Sequence, residues 1–309
     1  MPTADVAGRA LAESVLVPPP QPFPKTPADH GIAYRDVEFM TSDDVTLRGW
    51  LLNEGGEATA VMTHFGYRAN RYGYQPDQQP EGSRPYEHEI DFIVVARRLV
   101  DAGYTVLMYD LRNHGESDAS ALGVGTGGVD EGKDVIAAVE FVASQEQTGD
   151  HIGLLSYCMG ANATFFGMAE RPEVFLDAGV QALVAMQPLR NGDFFRALGV
   201  DDDVYDAADE HFRSQAGCSL NPEILPQIGQ VPVPTRLVQA STDPWTDFRF
   251  IEDAFEALGR DANGGEGIEK HLAWIDGTDH RFDGYNYFGD RPELMLDWFG
   301  RFVPVAGRG

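Results

Sequence analysis

Short apolar runs recur along this chain, at 34–40, 45–52, 58–63, 104–109, 152–155, 182–186, 235–239 and 271–275. Between the later runs lie segments whose apolar residues repeat at helical spacing, at 90–99, 129–144, the Ala/Phe/Met-rich stretch after 158, and 248–258; another, 292–302, follows the last run. Parallel strands cannot be joined by tight turns and need a long crossover, usually a helix. The alternation therefore predicts a mostly parallel sheet with helices on both faces. The first two runs are separated only by the polar turn Thr41-Ser42-Asp43-Asp44.

The rhythm breaks at three places. Residues 1–30 carry Pro18, Pro19, Pro20, Pro22, Pro24 and Pro27, which prevent regular backbone hydrogen bonding, so an extended amino-terminal arm is expected. The polar connection 68–85 is longer than most in such domains and reads as a lid or binding loop. Residues 187–230 hold Phe194-Phe195, the acidic run Asp201-Asp202-Asp203 and a helix-like 205–213, the pattern of an inserted cap. The expected organisation is thus an arm over 1–30, a core over 31–186 and 231–309, and a cap over 187–230.

A chain of 309 residues can bury a large core, and its 43% hydrophobic content excludes general disorder. Its 49 acidic against 23 basic residues leave a formal charge of -26, which repels nucleic acid and anionic membrane. Such acidity suits a high-salt interior or an acidic, arginine-preferring proteome equally well. The two cysteines, Cys158 and Cys218, do not make a secreted-type disulfide framework. No apolar run reaches the length of a membrane helix, and no secretory leader is visible, so a cytoplasmic location is expected. The scattered histidines suggest no metal site. The glycine-rich 123–128 lacks the strand–helix placement of a dinucleotide fingerprint, so no cofactor is expected. Oligomeric state is left open.

The chemistry concentrates at four places. In Ser156-Tyr157-Cys158-Met159-Gly160 an apolar strand runs into a small-x-Cys-x-Gly turn and then a helix. A sharp strand-to-helix turn asks for small residues two places either side of an exposed nucleophile, and a helix's amino end favours an anionic sulfur. The competing reading is a buried core cysteine. Gly277-Thr278-Asp279-His280 follows the last apolar run, placing His280 as a general base. Asp243 follows the run ending at 239 and would orient that imidazole, with Asp247 and Asp279 as local rivals. Asp243-Pro244 is also a helix-start signal, a role that would coexist with catalysis or replace it. The loop from His64 would supply one oxyanion amide, with Met159 the other.

The order Cys158, Asp243, His280 is nucleophile, acid, base. Together with Asp110-Leu111-Arg112-Asn113-His114-Gly115-Glu116-Ser117, which is similar to an Asp-x-Arg-x-His-Gly-x-Ser segment, these motifs make residues 32–305 resemble the α/β-hydrolase superfamily. The resemblance implies an eight-stranded, mostly parallel sheet flanked by helices, with a small helical cap. Two departures stand out. His64-Phe65-Gly66-Tyr67 replaces the usual His-Gly-x, so Phe65, Gly66 and Tyr67 all compete as oxyanion donor, Phe65 being chosen. Cys158 replaces serine, as in relatives similar to dienelactone hydrolases.

The implied function is an acyl hydrolase with a Cys-His-Asp triad, acting on a small-molecule ester, thioester or lactone through an acyl-cysteine. One alternative is an acyltransferase that passes the acyl group to an amine, alcohol or thiol, because a thioester intermediate favours such acceptors over water. Another is a non-catalytic binding protein of the same fold. Tyr67, Tyr157, Trp245 and Phe282 are the expected substrate-binding residues, with Phe194, Phe195 and Tyr285 as further pocket candidates.

Overall fold

A computed structural model describes residues 3–14, 23–79, 86–259, 267–278 and 280–305. Its main sheet comprises β1 (Tyr34–Met40), β2 (Thr46–Leu52), β3 (Ala58–Thr63), β6 (Tyr104–Tyr109), β7 (Ile152–Tyr157), β8 (Val180–Met186), β9 (Thr235–Ala240) and β10 (Lys270–Ile275). A separate ribbon pairs β4 (Gly73–Tyr74) with β5 (Ile90–Asp91). The eight strands run in the order β1-β2-β6-β3-β7-β8-β9-β10, β2 being antiparallel to both neighbours and the remaining pairs parallel. The parallel strands share one carboxyl edge, and His64, Cys158, Gln187, Asp243 and His280 all lie just beyond it.

Side chains alternate between two cores, as strand geometry requires. In β6, Val106 and Met108 face one layer while Leu107 and Tyr109 face the other. The first layer is closed by α2 (Phe92–Asp101), α10 (Asp283–Asp290) and α11 (Glu293–Phe302). The second is closed by α3 (Glu131–Ala143), α4 (Met159–Glu170), α5 (Pro172–Asp177), α8 (Leu225–Ile228) and α9 (Phe248–Ala257). Burial on both faces explains why β3, β6 and β7 read as continuous apolar runs rather than as alternating ones.

The segment expected as a cap, between β8 and β9, carries α6 (Asn191–Ala197) and α7 (Asp202–Ala216). A small third core of Val124, Phe195, Tyr205, Ala208, Phe212 and Leu220 lies beneath it and includes Ala12 of α1 (Ala4–Ser14). The extended arm is therefore corrected over its first part. Between Pro2 and Pro18 the chain has no proline, so nothing in 4–14 opposes a helix, and Gly8 lets α1 approach the Ala207 and Ala208 backbone where a Cβ would clash. Residues 15–22 lie outside the described residues.

The predicted lid is also corrected over 69–74, which is buried. Arg71 inserts between Phe23 and Trp50, 4.3 and 4.4 Å from their ring centres, and pairs with buried Asp110. Residues 80–85 of that connection lie outside the described residues. The helix expected at 90–99 begins at Phe92 because Ile90–Asp91 belongs to the ribbon; Asp91 caps it, accepting from the Ile93 amide at 3.0 Å.

The Asp-Leu-Arg-Asn-His-Gly segment ties these layers together beneath the carboxyl edge. Asp110 accepts from the amides of Arg71 at 2.6 Å and Glu116 at 2.9 Å. Gly115, at φ 51°, passes so close to that carboxylate that a side chain would not fit. Arg112 binds Asp134 at 2.8 Å and both oxygens of Asp43 at 2.8 and 2.9 Å. The glycine-rich 123–128 wraps a buried carboxylate: Glu131 accepts from the amides of Thr126 (3.0 Å) and Gly128 (2.9 Å). Among the described residues, no helix is long and apolar enough to cross a membrane, and no group of three or more His, Cys, Asp or Glu could hold a metal ion.

Candidate active site

Cys158 sits alone between the end of β7 and the start of α4, with φ 49° and ψ -111°. A non-glycine residue held in such backbone costs on the order of 1–3 kcal/mol and persists only where its surroundings impose it. The Cys158 amide donates to the Met186 carbonyl at 2.8 Å, fixing the turn against β8. Ser156 is fully buried and shares a 2.8 Å hydrogen bond with Thr164. Gly160 is compulsory, because a Cβ there would lie 2.8 Å from Thr63 Cγ2 and clash with the His64 carbonyl. The small-x-Cys-x-Gly pattern is thus a packing requirement of the turn, and Cys158 itself is half-buried.

The same close approach brings the loop after β3 against the first turn of α4. Gly66, at φ 70°, lies under the Met159 side chain, and its amide donates to His64 Nδ1 at 3.1 Å. The Phe65 ring is buried, stacking on Tyr285 at 4.6 Å and 16°. Because the Gly66 amide is committed to His64, Phe65 and Tyr67 are left as the loop's competing donors.

Asp243 lies on the turn after β9 with its side chain fully buried. Its Oδ1 accepts from the Trp245 amide at 2.9 Å. Its Oδ2 accepts from Thr246 at 2.7 Å, Gln239 at 2.9 Å and the guanidinium of Arg281. Burial opposes ionisation here, but the Arg281 charge and these hydrogen bonds outweigh it and hold the carboxyl below its usual range.

His280 follows β10. Its amide donates to Asp283 at 2.8 Å and its Nδ1 accepts from the Phe282 amide at 3.2 Å. The ring stacks on Tyr86 at 5.2 Å and 21°, with the edge of Trp245 at 5.0 Å. Burial lowers its pKa below the ordinary histidine value; Asp283 and Asp243 pull the other way, and Arg281 adds to the lowering. Among the described residues, no hydrogen bond joins His280 to Cys158 or to Asp243. The three residues therefore share one edge of the sheet without forming a bonded chain in this state.

Arg281, the residue after His280, is instead the partner that Asp243 holds. It is fully buried, and donates from Nε to Tyr285 Oη at 2.8 Å and from Nη1 to Thr246 at 2.8 Å. Nη1 also binds Asp243, and Nη2 binds the Gln187 carbonyl. Sequence reading missed this residue; its one visible signal was a cation directly after the presumed base.

The expected pocket residues divide. Trp245 packs edge-on against Phe194 at 4.9 Å and Phe282 at 5.3 Å, and Tyr67 meets Phe194 at 6.2 Å. Together with Tyr86 these rings form an aromatic wall beside His280. Phe195 instead belongs to the small third core with Tyr205 and Phe212. Tyr157 is a correction: it is fully buried beneath the elbow, 4.6 Å from Phe92, because alternation along β7 turns it into the core when Cys158 turns out.

Strand order, elbow and carboxyl-edge loops together define an α/β-hydrolase fold. A dienelactone hydrolase family model matches residues 86–184, which include the elbow but neither Asp243 nor His280. No curated protein sequence matches the chain. Among solved structures, the Pyrococcus furiosus esterase Pf2001 is similar at 21% identity and a TM-score of 0.66, over 93% of this chain and 98% of that one. The α/β hydrolase GrgF from Penicillium is similar at 20% identity and 0.56, over 87% and 99%. Est1E from Butyrivibrio proteoclasticus, solved with ferulic acid, is similar at 13% identity and 0.56, over 84% and 98%.

Proposed function

We propose that this protein is an acyl hydrolase that cleaves a small-molecule ester, thioester or lactone through an acyl-cysteine on Cys158. The observation that carries this reading is the backbone of Cys158: strain at a strand–helix junction, imposed by Gly160 and Ser156, presents one sulfur above the sheet edge. The similarity to an esterase fold and to part of the dienelactone hydrolase family supports the same reaction class.

In the proposed cycle His280 takes the thiol proton and sulfur attacks the carbonyl carbon, forming the C–S bond while the π pair moves to oxygen. The amides of Phe65 and Met159 stabilise that oxyanion, an effect worth about 3 kcal/mol per donor. The tetrahedral centre collapses, His280 protonates the leaving group, and water then releases the acid. To act as base, His280 must exchange the Phe282 amide for a carboxylate. Asp243 can receive it: a carboxylate has about four acceptor sites, and Oδ1 carries one donor where Oδ2 carries three. The aromatic wall of Tyr67, Phe194, Trp245 and Phe282 favours an apolar or aromatic acyl group.

The test is turnover of matched aryl esters, thioesters and lactones by wild type and Cys158→Ala. Turnover lost in the variant is the expected result. Equal turnover by both would overturn the cysteine mechanism. Product analysis with added amines separates the two acyl fates, since free acid at every amine concentration marks hydrolysis.

A further inference from the structure

Two consecutive residues at the end of β8 hold the two halves of the candidate site. The Met186 carbonyl accepts from the Cys158 amide at 2.8 Å and so fixes the nucleophile turn. Gln187, the next residue, is fully buried and reaches the loop after β10. Its Nε2 donates to the Arg281 carbonyl at 2.9 Å, and its own carbonyl accepts from Arg281 Nη2. One residue therefore grips Arg281 at its backbone and at the guanidinium that binds Asp243.

The peptide group that Gln187 holds is the one behind the base. Its oxygen belongs to Arg281, and its nitrogen is the Phe282 amide that donates to His280 Nδ1 at 3.2 Å. A carbonyl oxygen has two lone pairs, and this one serves two donors, Gln187 Nε2 and the Gly284 amide at 3.1 Å. The Gln187 Oε1 accepts no hydrogen bond among the described residues, so the donation to Arg281 is the side chain's directed contact.

Two further features show that this contact is built into the fold. Gln187 adopts φ 50°, backbone that a side-chain-bearing residue keeps only where its surroundings impose it. Its amide is anchored on β9 through the Val238 carbonyl at 2.8 Å. Gly284 in the first turn of α10 leaves the space that the carboxamide fills, since a Cβ there would lie 2.7 Å from Gln187 Nε2.

We propose that Gln187 is a positioning residue for the acyl-transfer reaction: by bracing the Arg281–Phe282 peptide it sets the place of His280 relative to Cys158. The proposal rests on reading Cys158 as the nucleophile and His280 as the base. In the cycle the imidazole exchanges the Phe282 amide for Asp243 by turning about its own side-chain bonds, while the peptide behind it stays on Gln187. Because Met186 and Gln187 are adjacent on one strand, sulfur and imidazole are referred to the same stretch of backbone. Reaction rate is sensitive to such placement, because a reacting group displaced by about 1 Å costs on the order of 100-fold.

The test separates positioning from folding and from substrate binding. Gln187→Met keeps the length of the side chain and removes the donor. With an aryl thioester it is expected to lower kcat roughly 10- to 100-fold. KM should stay within about twofold, since the aromatic wall is untouched and the lost interaction acts on the reacting groups. Gly284→Ala leaves Gln187 in the chain but pushes its amide aside, because the atom that the new Cβ meets is the end of a long side chain. It should show the same split, and it supplies the reading if Gln187→Met does not fold. In the double variant the two losses should not multiply, because both act through one hydrogen bond. Rates are taken per folded protein from thermal melts, so a purely structural role would leave kcat unchanged. Wild-type or raised kcat in Gln187→Met, a rise in KM that matches the fall in kcat, or multiplied losses in the double variant would overturn the proposal. The two readings fail separately: a wild type that turns over no ester, thioester or lactone removes the hydrolase, whereas an active wild type whose variants keep its kcat removes only the role of Gln187.

Discussion

Arg281 and Asp243 form an ion pair in which both side chains are completely buried. The pair spans the turn after β9 and the loop after β10, and it carries the acid of the proposed triad. Removing one partner of such a pair strands the other charge, which costs more than the pair itself contributes.

Arg281→Met should therefore lower unfolding free energy by about 3–5 kcal/mol, the range for a broken buried pair. Urea denaturation checks this. The double variant Arg281→Met, Asp243→Leu should recover part of the loss, because neither charge is then left alone. A single-variant loss below about 1 kcal/mol, the range of an exposed pair, would contradict the burial of both groups.

Cys158→Gly should be more stable than Cys158→Ala by roughly 1 kcal/mol. Both lose the sulfur, but only glycine relieves the backbone at φ 49°, a gain of about 1–3 kcal/mol offset by about 0.5–1 kcal/mol of extra chain entropy. Thermal melts of the two variants decide it. The opposite order would mean that the turn is not strained.

Gly160→Ala should damage activity and stability together. Its Cβ meets the Thr63 side chain and the His64 backbone rather than a flexible chain end, so the β3 loop must move away from α4. Overpacking of this kind costs about 1–3 kcal/mol. Separating the two oxyanion amides should also lower kcat by roughly 100-fold or more. Normal kcat in a folded Gly160→Ala enzyme would remove the loop's amide from the mechanism.

The pH profile follows from His280. Its folded pKa lies below the ordinary 6.5, mainly because the ring is buried, so the imidazole is neutral at pH 7 and able to act as a base. As pH falls through that lowered value the ring gains a proton and the base is lost. The acid limb of kcat/KM should thus have its midpoint below 6.5, and His280→Gln should abolish it along with most activity. An acid limb centred above 6.5 would contradict the buried ring.

Much of the architecture was legible because burial on two faces writes itself as continuous apolar runs. The β3, β6 and β7 runs were bounded within two residues of their observed ends. The elbow was legible for a different reason, since Ser156 is packed against Thr164 of α4 and Gly160 against the end of β3, which leaves room only for small residues at both places. Tyr157 was misplaced because adjacency to a nucleophile in sequence means opposition across a strand. The amino-terminal helix was hidden behind the prolines that follow it, and α1 is held by its tertiary contact with α7 rather than by a strong local signal. Arg281 escaped because its partners, Gln187, the Asp243–Thr246 turn and Tyr285, come from three separate stretches of chain.

The central claim is that Cys158 carries the acyl group. Intact-mass spectrometry of the protein mixed with an aryl thioester and quenched in acid tests it most directly. The account predicts a mass increase of one acyl group, mapped to the Cys158 peptide, absent in Cys158→Ala and removed by hydroxylamine. Rapid turnover with no adduct on Cys158, or an adduct that persists in Cys158→Ala, would contradict it.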